Sequence, residues 1–217
     1  MKSIETSNGI YKYEEKEFIL GTKKIDIEIS KENLLLFRKC LNNANIPFGL
    51  LYGTLLGAVR ENNFIEHDED TDVFVLHEYK DQIIDILFEL KKYGLVVARD
   101  DIDVDLLSFM RDGEYIDIYF FKKNIFGQRI SNGLVIESKY LEKLIDIYFL
   151  GVKFQIPNNP KELLEKIYGH DWMIPRVDVK GSNYGLYRLF KEYIKKYFKI
   201  LIPIVTFYKK KILKKKY

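Results

Sequence analysis

The chain has 217 residues, of which 47% are hydrophobic, so it can bury one substantial core within a single compact domain. Its single cysteine, Cys40, excludes an internal disulfide. Residues 1–18 lack the apolar run of a signal peptide, so we expect a protein of the reducing cytoplasm. The sequence contains no Cys/His zinc spacing, no glycine-rich dinucleotide fingerprint and no Walker motif, and we expect no specific nucleic-acid partner.

The first predicted elements are a hairpin and a helix. Residues 1–29 are expected to form an N-terminal hairpin extension. Ser30 is placed to cap a helix that runs to about Ala44, because apolar residues recur at helical spacing from Leu34 to Leu41. This helix is the predicted start of the catalytic domain, over residues 30–180.

A glycine turn follows the helix. Residues 48–52 form an apolar run that is typical of a strand, Gly53 and Thr54 indicate a tight turn, and residues 55–60 favour a helix. A strand, a turn and a helix N-terminus present backbone N–H groups and the positive end of the helix dipole to an anion. The segment therefore predicts a phosphate-binding turn.

The side chains of this segment suggest how a phosphate would be bound. Gly53 permits close approach of the backbone, and Thr54 can serve as the helix N-cap or as a phosphate contact. Arg60 can bind a phosphate with its planar guanidinium, or form a surface ion pair with Glu61 or Asp68.

An acidic pair comes next. Asp70 and Asp72 alternate at the start of a hydrophobic strand, so both carboxylates project on one face about 7 Å apart. Carboxylates in this arrangement can bind Mg²⁺ together with substrate phosphates, although a solvated acidic loop has the same pattern. His67 and Asp68 adjoin the pair and are expected to contact substrate, with stacking or packing as the alternative for His67.

The rest of the chain is predicted to form further helices and strands, and one of these strands carries a third candidate carboxylate. The remaining predicted elements are a helix over 81–93 ended by Gly94, strands over 95–98, 104–110 and 115–121, a hairpin over 145–156 that turns at Leu150-Gly151, and a helix over 160–168. Asp112-Gly113 predicts a tight turn, so Asp117 should lie on an antiparallel hairpin. Because an ionised carboxylate among apolar residues is costly unless it is paired or metal-bound, Asp117 is a candidate site residue.

These motifs resemble the LicD family of phosphotransferases, which is related to fukutin and fukutin-related protein. The likeness covers residues 33–175 and rests on Gly53-Thr54-Leu55-Leu56-Gly57-Ala58-Val59-Arg60, on Phe64-Ile65, on Asp68-Glu69-Asp70-Thr71-Asp72, on the Asp117 strand, and on Tyr168-Gly169 with Trp172. The chain departs from the family pattern at Glu66-His67, Glu69 and Thr71, which lie next to the acidic pair.

The resemblance implies a fold, a reaction and a site. The expected fold is α+β, with a nucleotidyltransferase-like mixed β-sheet flanked by helices. The expected reaction moves a phosphocholine or alditol-phosphate group from a CDP-activated donor to a hydroxyl of a glycan or lipid-linked sugar, with Mg²⁺ or Mn²⁺ at Asp70, Asp72 and Asp117. Asp117 would complete the metal site or accept the proton of the attacking hydroxyl.

Two other functions are compatible with the same residues. A nucleotidyltransferase would use these carboxylates to transfer the nucleotide portion to a small molecule, a protein or RNA. An inactive relative would serve as a membrane-associated scaffold of glycan assembly, although such proteins usually lose an essential carboxylate, and here Asp70, Asp72 and Asp117 all persist.

The C-terminal tail differs in net charge from the rest of the chain. Residues 188–217 hold 11 Lys and Arg against one acid and carry +10, whereas the rest of the chain carries −7. Residues 181–217 are therefore expected to form a basic amphipathic helix. Its apolar part, over 200–208, contains Pro203 and is too short to span a bilayer, but it suits an anionic membrane surface on the inner face of the plasma membrane. Docking on the domain and nonspecific attraction to nucleic acid are the alternatives.

Overall fold

The computed structural model describes residues 1–16, 23–101 and 105–175. The helices are α1 (Ile27–Asn43), α2 (Tyr52–Arg60), α3 (Lys80–Asp85), α4 (Leu87–Lys92), α5 (Ser138–Leu141) and α6 (Pro160–Tyr168). The strands are β1 (Lys2–Thr6), β2 (Gly9–Tyr13), β3 (Gly49–Leu50), β4 (Thr71–Leu76), β5 (Val96–Asp101), β6 (Leu106–Arg111), β7 (Glu114–Lys123), β8 (Gln128–Ser131), β9 (Leu134–Glu137), β10 (Leu144–Phe149) and β11 (Val152–Pro157). This composition confirms the α+β class.

The central sheet is mixed, as predicted. Its strand order is β3-β4-β7-β6-β5, and β8 and β9 extend it from the end of β7. β4 and β7 run parallel, whereas β3 with β4, β6 with β7 and β5 with β6 are antiparallel. The parallel pair is the important contact for function, because it sets Asp72 directly opposite Asp117.

The turn chemistry read from the sequence is confirmed at three places. Asp112 and Gly113 both have positive φ, 52° and 81°, and join β6 to β7 in a tight hairpin. Leu150 and Gly151 do the same between β10 and β11, with φ of 54° and 80°. Gly94 ends its helix in the left-handed region at φ 83°.

The start of α1 differs from the prediction. The helix begins at Ile27, and its N-cap is Asp26, whose side chain accepts a hydrogen bond from the Ile29 N–H at 3.1 Å. Ser30, the expected cap, is buried inside the first turn and lies 3.5 Å from a carboxylate oxygen of Glu114. Ser30 packs towards the sheet from inside the first turn, so Asp26 and not Ser30 stands at the helix end.

Two further predictions were wrong in detail. The helix expected over 81–93 is interrupted at Ile86, whose φ and ψ of −92° and 7° separate α3 from α4. The helix expected from residue 55 begins at Tyr52, so Gly53 and Thr54 belong to its first turn and Leu51 is its N-cap. Thr54 is therefore not the N-cap.

The core lies between α1 and one face of the sheet. Phe37 of α1 contacts Phe48 and Phe109, with ring centroids 5.5 and 6.2 Å apart, and Leu34 and Leu41 beside it are fully buried. Because Phe109 of β6 pairs with Ile116 of β7, this face continues across the sheet as an apolar layer. Residues that alternate with it, including Asp117, project on the opposite face.

The described chain falls into two compact units. Residues 1–166 form the first, and the described residues of the second are 167–175. The first contains the sheet and the hairpin of β1 with β2. Helix α1 starts at Ile27, so it crosses the boundary that was expected at residue 29. In the second, the N–H groups of Trp172 and Ile174 donate to Gly169 and Asp171.

The predicted C-terminal tail lies outside the described residues, so its helix and its membrane association stay predictions. The domain boundary at residue 180 also falls there. Within residues 1–16, 23–101 and 105–175, no helix combines the length and the apolar character needed to cross a bilayer.

Candidate active site

A row of polar side chains crosses the sheet at one level. The strand register pairs Arg99 of β5 with Ser108 of β6, Ser108 with Asp117 of β7, and Asp117 with Asp72 of β4. Paired residues on neighbouring strands project on the same face of a sheet, so the four side chains form a continuous line. Hydrogen bonds connect its first part: the guanidinium of Arg99 donates to Ser108 Oγ at 3.1 Å and to Asp117 Oδ2 at 2.8 Å.

A bulge in β5 places Arg99 in this row. Val97 pairs with Phe109, but Arg99, and not Ala98, pairs with the next residue, Ser108. Regular alternation from Val97 would turn Arg99 towards the apolar face that holds Phe109. Because the extra residue shifts the alternation, Val97 stays in the core while Arg99 joins the polar face, which is a common use of bulges beside functional sites.

Asp72 is held by the start of α2. Its Oδ2 accepts a hydrogen bond from the Gly53 N–H at 3.1 Å, and its own N–H donates to Thr54 Oγ1 at 2.9 Å. Its carbonyl accepts from the Leu51 N–H at 3.0 Å. The helix N-terminus that the sequence predicts as a phosphate cradle thus binds the Asp72 carboxylate, for which the helix dipole is equally favourable.

This contact changes the expected roles of Gly53 and Thr54. The Thr54 side chain is fully buried, so it supports the strand that carries Asp72. Contact of either residue with substrate stays a prediction. Tyr52, just before them, has a left-handed φ of 41° and packs edge-on against Tyr119, with ring centroids 4.9 Å apart. Strain of this kind is frequent at active sites.

Asp68 lies against the backbone of Gly53. A Cβ atom added at Gly53 would overlap Asp68 Oδ2 and lie 2.8 Å from its Cγ, so residue 53 can carry no side chain without moving Asp68. Asp68 Oδ1 accepts from the Glu69 N–H at 3.2 Å. The first turn of α2 therefore brings Asp68, in the loop before β4, close to Asp72 within β4.

The carboxylates raise one another's pKa. Burial raises the pKa of Asp70 and of Asp72 well above the usual range, and the neighbouring carboxylates raise both further. The Gly53 N–H and the Tyr119 hydroxyl act in the opposite direction on the pKa of Asp72. Burial also raises the pKa of Asp117, against the effect of Arg99 and Ser108. The cluster is therefore electrostatically unfavourable when every member is ionised.

Arg60 and His67 are the remaining predicted site residues. Arg60 is at the far end of α2, about 10 Å along the helix axis from Gly53, and its guanidinium donates to Glu61 at 3.0 Å from Nε. This is the ion pair that the sequence offered as the alternative to phosphate binding. His67 is exposed in the turn before Asp68. Their contact with substrate stays a prediction.

Arg99 and Tyr119 are site residues that sequence reasoning missed. Arg99 looked like an ordinary residue of an expected loop after residue 98, and Tyr119 like one of several strand aromatics. A usable signal existed for Tyr119, because it follows Asp117 by two residues and must share its face. No comparable signal existed for Arg99, since the bulge depends on its neighbouring strand.

The residues present fit a divalent cation. Among the described side chains, Asp117 Oδ1 is buried and has no hydrogen-bond partner, and it belongs to a group of carboxylates whose charges need compensation. Within the same described part of the chain, no three His, Cys, Asp or Glu side chains already surround a common point. Mg²⁺ commonly binds only one or two carboxylates and completes its shell with water and phosphate, so Asp72 and Asp117 suffice as a pair.

The fold and this acidic row define a nucleotidyltransferase-like domain. The chain belongs to the LicD family: the family model described as LicD/FKTN/FKRP, nucleotidyltransferase domain, matches residues 45–159, which is more than half of the chain. The match includes the α2 segment, the acidic cluster and Asp117. It is shorter than the span of 33–175 that the motifs indicated.

Curated relatives support the same family. The chain is 33% identical over 161 residues to a protein of Macaca fascicularis named ribitol-5-phosphate transferase FKTN, and 32% identical over 161 residues to the protein of that name from Homo sapiens. Each alignment covers 67% of this chain and 33% of the relative. The chain thus spans about a third of the length of the curated relatives it matches.

Solved structures show weaker likeness. A lincomycin-bound lincosamide adenylyltransferase, LnuA, is 12% identical with a TM-score of 0.45, over 61% of this chain and 83% of LnuA. The antibiotic-resistance factor ANT(2'')-Ia is 11% identical with a TM-score of 0.48, over 83% of this chain and 97% of that protein.

Replacing Gly53 by alanine tests the contact with Asp68. Alanine normally favours a helix over glycine by up to about 1 kcal/mol, but here the new methyl group would displace the Asp68 carboxylate, and we expect a loss of about 1–3 kcal/mol in the free energy of unfolding. In an Asp68→Ala background the obstacle is gone, so Gly53→Ala should be neutral or stabilising. Urea unfolding of the four variants measures this cycle, and an equal loss in both backgrounds would contradict the contact.

Stability of the metal-free protein should rise as the pH falls. Burial raises the pKa of Asp68 to about 6 from 3.8, so the native state binds more protons than the unfolded state between about pH 4 and 6. Above that window the ionised form costs on the order of 1–2 kcal/mol. We expect the EDTA-treated protein to resist urea better at pH 5 than at pH 7.5, and Asp68→Asn to reduce this difference. The same pH difference in both proteins would show that Asp68 is not responsible.

Proposed function

We propose that the chain is a phosphotransferase that moves an alditol phosphate, such as ribitol phosphate, or a phosphocholine group from a CDP-linked donor to a sugar hydroxyl of a glycan. Family membership and the transferase names of the relatives support this reaction. The observation that carries the proposal is the pairing of Asp72 with Asp117 across β4 and β7, which puts two buried carboxylates beside each other.

The reaction needs one bond to form and one to break. The acceptor hydroxyl oxygen attacks the phosphorus that carries the transferred group, the pyrophosphate P–O bond breaks, and CMP leaves with the bonding electrons. The hydroxyl proton passes to a carboxylate of the acidic row, which acts as the general base. A divalent cation held by Asp72 and Asp117, with Asp70 beside them, would neutralise the phosphate charge that develops.

The protein's own residues orient the two carboxylates. The Gly53 N–H and Thr54 hold the Asp72 carboxylate and its backbone, and Arg99 holds one oxygen of Asp117, so each carboxylate has a fixed orientation before substrate binds. Asp70, just ahead of β4, extends the same acidic surface. We expect Glu66-His67 and Asp68 to distinguish the donor from related donors.

Release of CMP tests the reaction. We expect Mg²⁺- or Mn²⁺-dependent release of CMP from at least one of CDP-ribitol, CDP-glycerol, CDP-choline and CDP-ethanolamine when a sugar acceptor is present. Asp72→Asn should lower the rate about 100-fold or more, because it removes a charged group from the reacting centre while keeping its shape. Asp146→Asn is the matched control, since Asp146 is an exposed strand carboxylate that pairs only with Lys153 among the described residues.

The same assay separates the other functions. With a donor labelled in the cytidine, recovery of the label on the acceptor would establish nucleotidyl transfer and defeat the proposal. Absence of any turnover, together with unchanged donor binding in Asp72→Asn, would favour a scaffold.

We also propose that residues 181–217 bring the chain to the inner face of the plasma membrane. Support comes from the sequence alone: the apolar segment 200–208 is followed by two groups of three lysines. Co-sedimentation with vesicles that contain anionic lipid should be lost when residues 200–217 are deleted and should weaken at high salt. Equal sedimentation of both proteins would refute this role.

A further inference from the structure

The guanidinium of Arg99 is the positive group built into the acidic row. It reaches Asp117 Oδ2 at 2.8 Å through Nη2, and Ser108 Oγ at 3.1 Å through Nε, so two of its nitrogens are fixed at once. Its side chain is only 28% exposed, and that of Asp117 only 4%. An arginine stays charged at any physiological pH, so the pair is a permanent charge-assisted contact.

The local chain geometry is arranged for this contact. Arg99 can face Asp117 only because the bulge at Ala98 shifts the alternation of β5 while Val97 remains paired with Phe109 on the core face. The bulge costs the sheet one regular pairing. A surface ion pair would not need it, because an exposed arginine could turn to either side.

The contact also makes the two carboxylate oxygens of Asp117 different from each other. Arg99 occupies Oδ2, whereas Oδ1 is buried and has no partner among the described residues. Asp72 stands opposite Asp117 in the parallel pair, so Oδ1 is the oxygen left for a cation shared with Asp72. A positive charge so close must also weaken the attraction of the site for that cation.

We infer that Arg99 is a positioning residue that fixes Asp117 in its productive orientation and, as a resident counter-charge, lowers the affinity of the acidic row for its divalent cation. This inference rests on the proposed function for its kinetic part, but its binding part concerns the cation alone. Arg99 therefore weakens metal binding but keeps the Asp117 carboxylate correctly placed.

The inference predicts two effects of opposite sign in Arg99→Met, which keeps the length of the side chain and removes its charge. Mn²⁺, titrated by calorimetry and by electron paramagnetic resonance without any donor, should bind about fivefold or more tightly than to the wild-type protein. The kcat for CMP release should fall about tenfold or more with little change in the KM for the donor, because Asp117 is no longer held. A purely structural role would weaken both metal binding and turnover.

Two further variants keep the test decisive. Arg99→Lys retains the charge without the planar pair of donors, so its Mn²⁺ affinity should stay near wild type while kcat is partly reduced. Arg111→Met is the matched control: Arg111 is another strand arginine, 20% exposed, that hydrogen-bonds Asn33 and Glu32 away from the acidic row, and its loss should change neither quantity.

The outcomes separate this inference from the proposed function. Tighter Mn²⁺ binding in Arg99→Met but not in Arg111→Met supports it, even if no CDP donor is turned over and the proposed reaction fails. Unchanged or weaker Mn²⁺ binding in Arg99→Met, or no Mn²⁺ binding by the wild-type protein, overturns it. If CMP release is observed, an undiminished kcat in Arg99→Met also overturns it.

Discussion

Mutual repulsion among buried carboxylates is the constraint on which this structure depends. Asp72 and Asp117 are 5% and 3% exposed and stand opposite each other, with Asp68 and Asp70 close by. Burying charges of one sign is costly unless hydrogen bonds or positive groups compensate. The protein compensates from three sides, with the N-terminus of α2, the Tyr119 hydroxyl and the guanidinium of Arg99. These supports are partial, because the pKa values of Asp70, Asp72 and Asp117 stay raised.

The fold delivers these groups by different routes. A parallel contact between β4 and β7 sets the two aspartates side by side, and the short strand β3 leads into α2, whose first turn closes on Asp72. In β5, at the other edge of the sheet, a bulge turns the Arg99 side chain away from the core face. Helix α1 covers the opposite face, where Phe37 packs against Phe109. A site assembled from strands and a helix terminus can hold its carboxylates before substrate arrives, and the proposed phosphoryl transfer requires such positioning.

Local patterns in the sequence predicted much of this, and non-local contacts explain what they missed. The Asp112-Gly113 turn follows from two residues that tolerate positive φ, and Gly151 alone marks the turn at Leu150-Gly151, so both turns could be read directly. The isolated Asp117 was visible because a lone carboxylate in an apolar strand is unusual. Arg99 was not visible, since only the pairing with β6 creates the bulge. Likewise, only burial against the sheet shows that Asp26, and not Ser30, caps α1, and only the fold shows that the Gly53 N–H binds Asp72.

The central claim is that Asp72 and Asp117 share a divalent cation, and crystals grown with Mn²⁺ test it most directly. An anomalous difference map at the manganese edge should show one strong peak in the first compact unit, between the Asp72 carboxylate and Asp117 Oδ1, with Arg99 still bound to Oδ2. A peak that is absent from that position, or one found only elsewhere on the chain, would contradict the account.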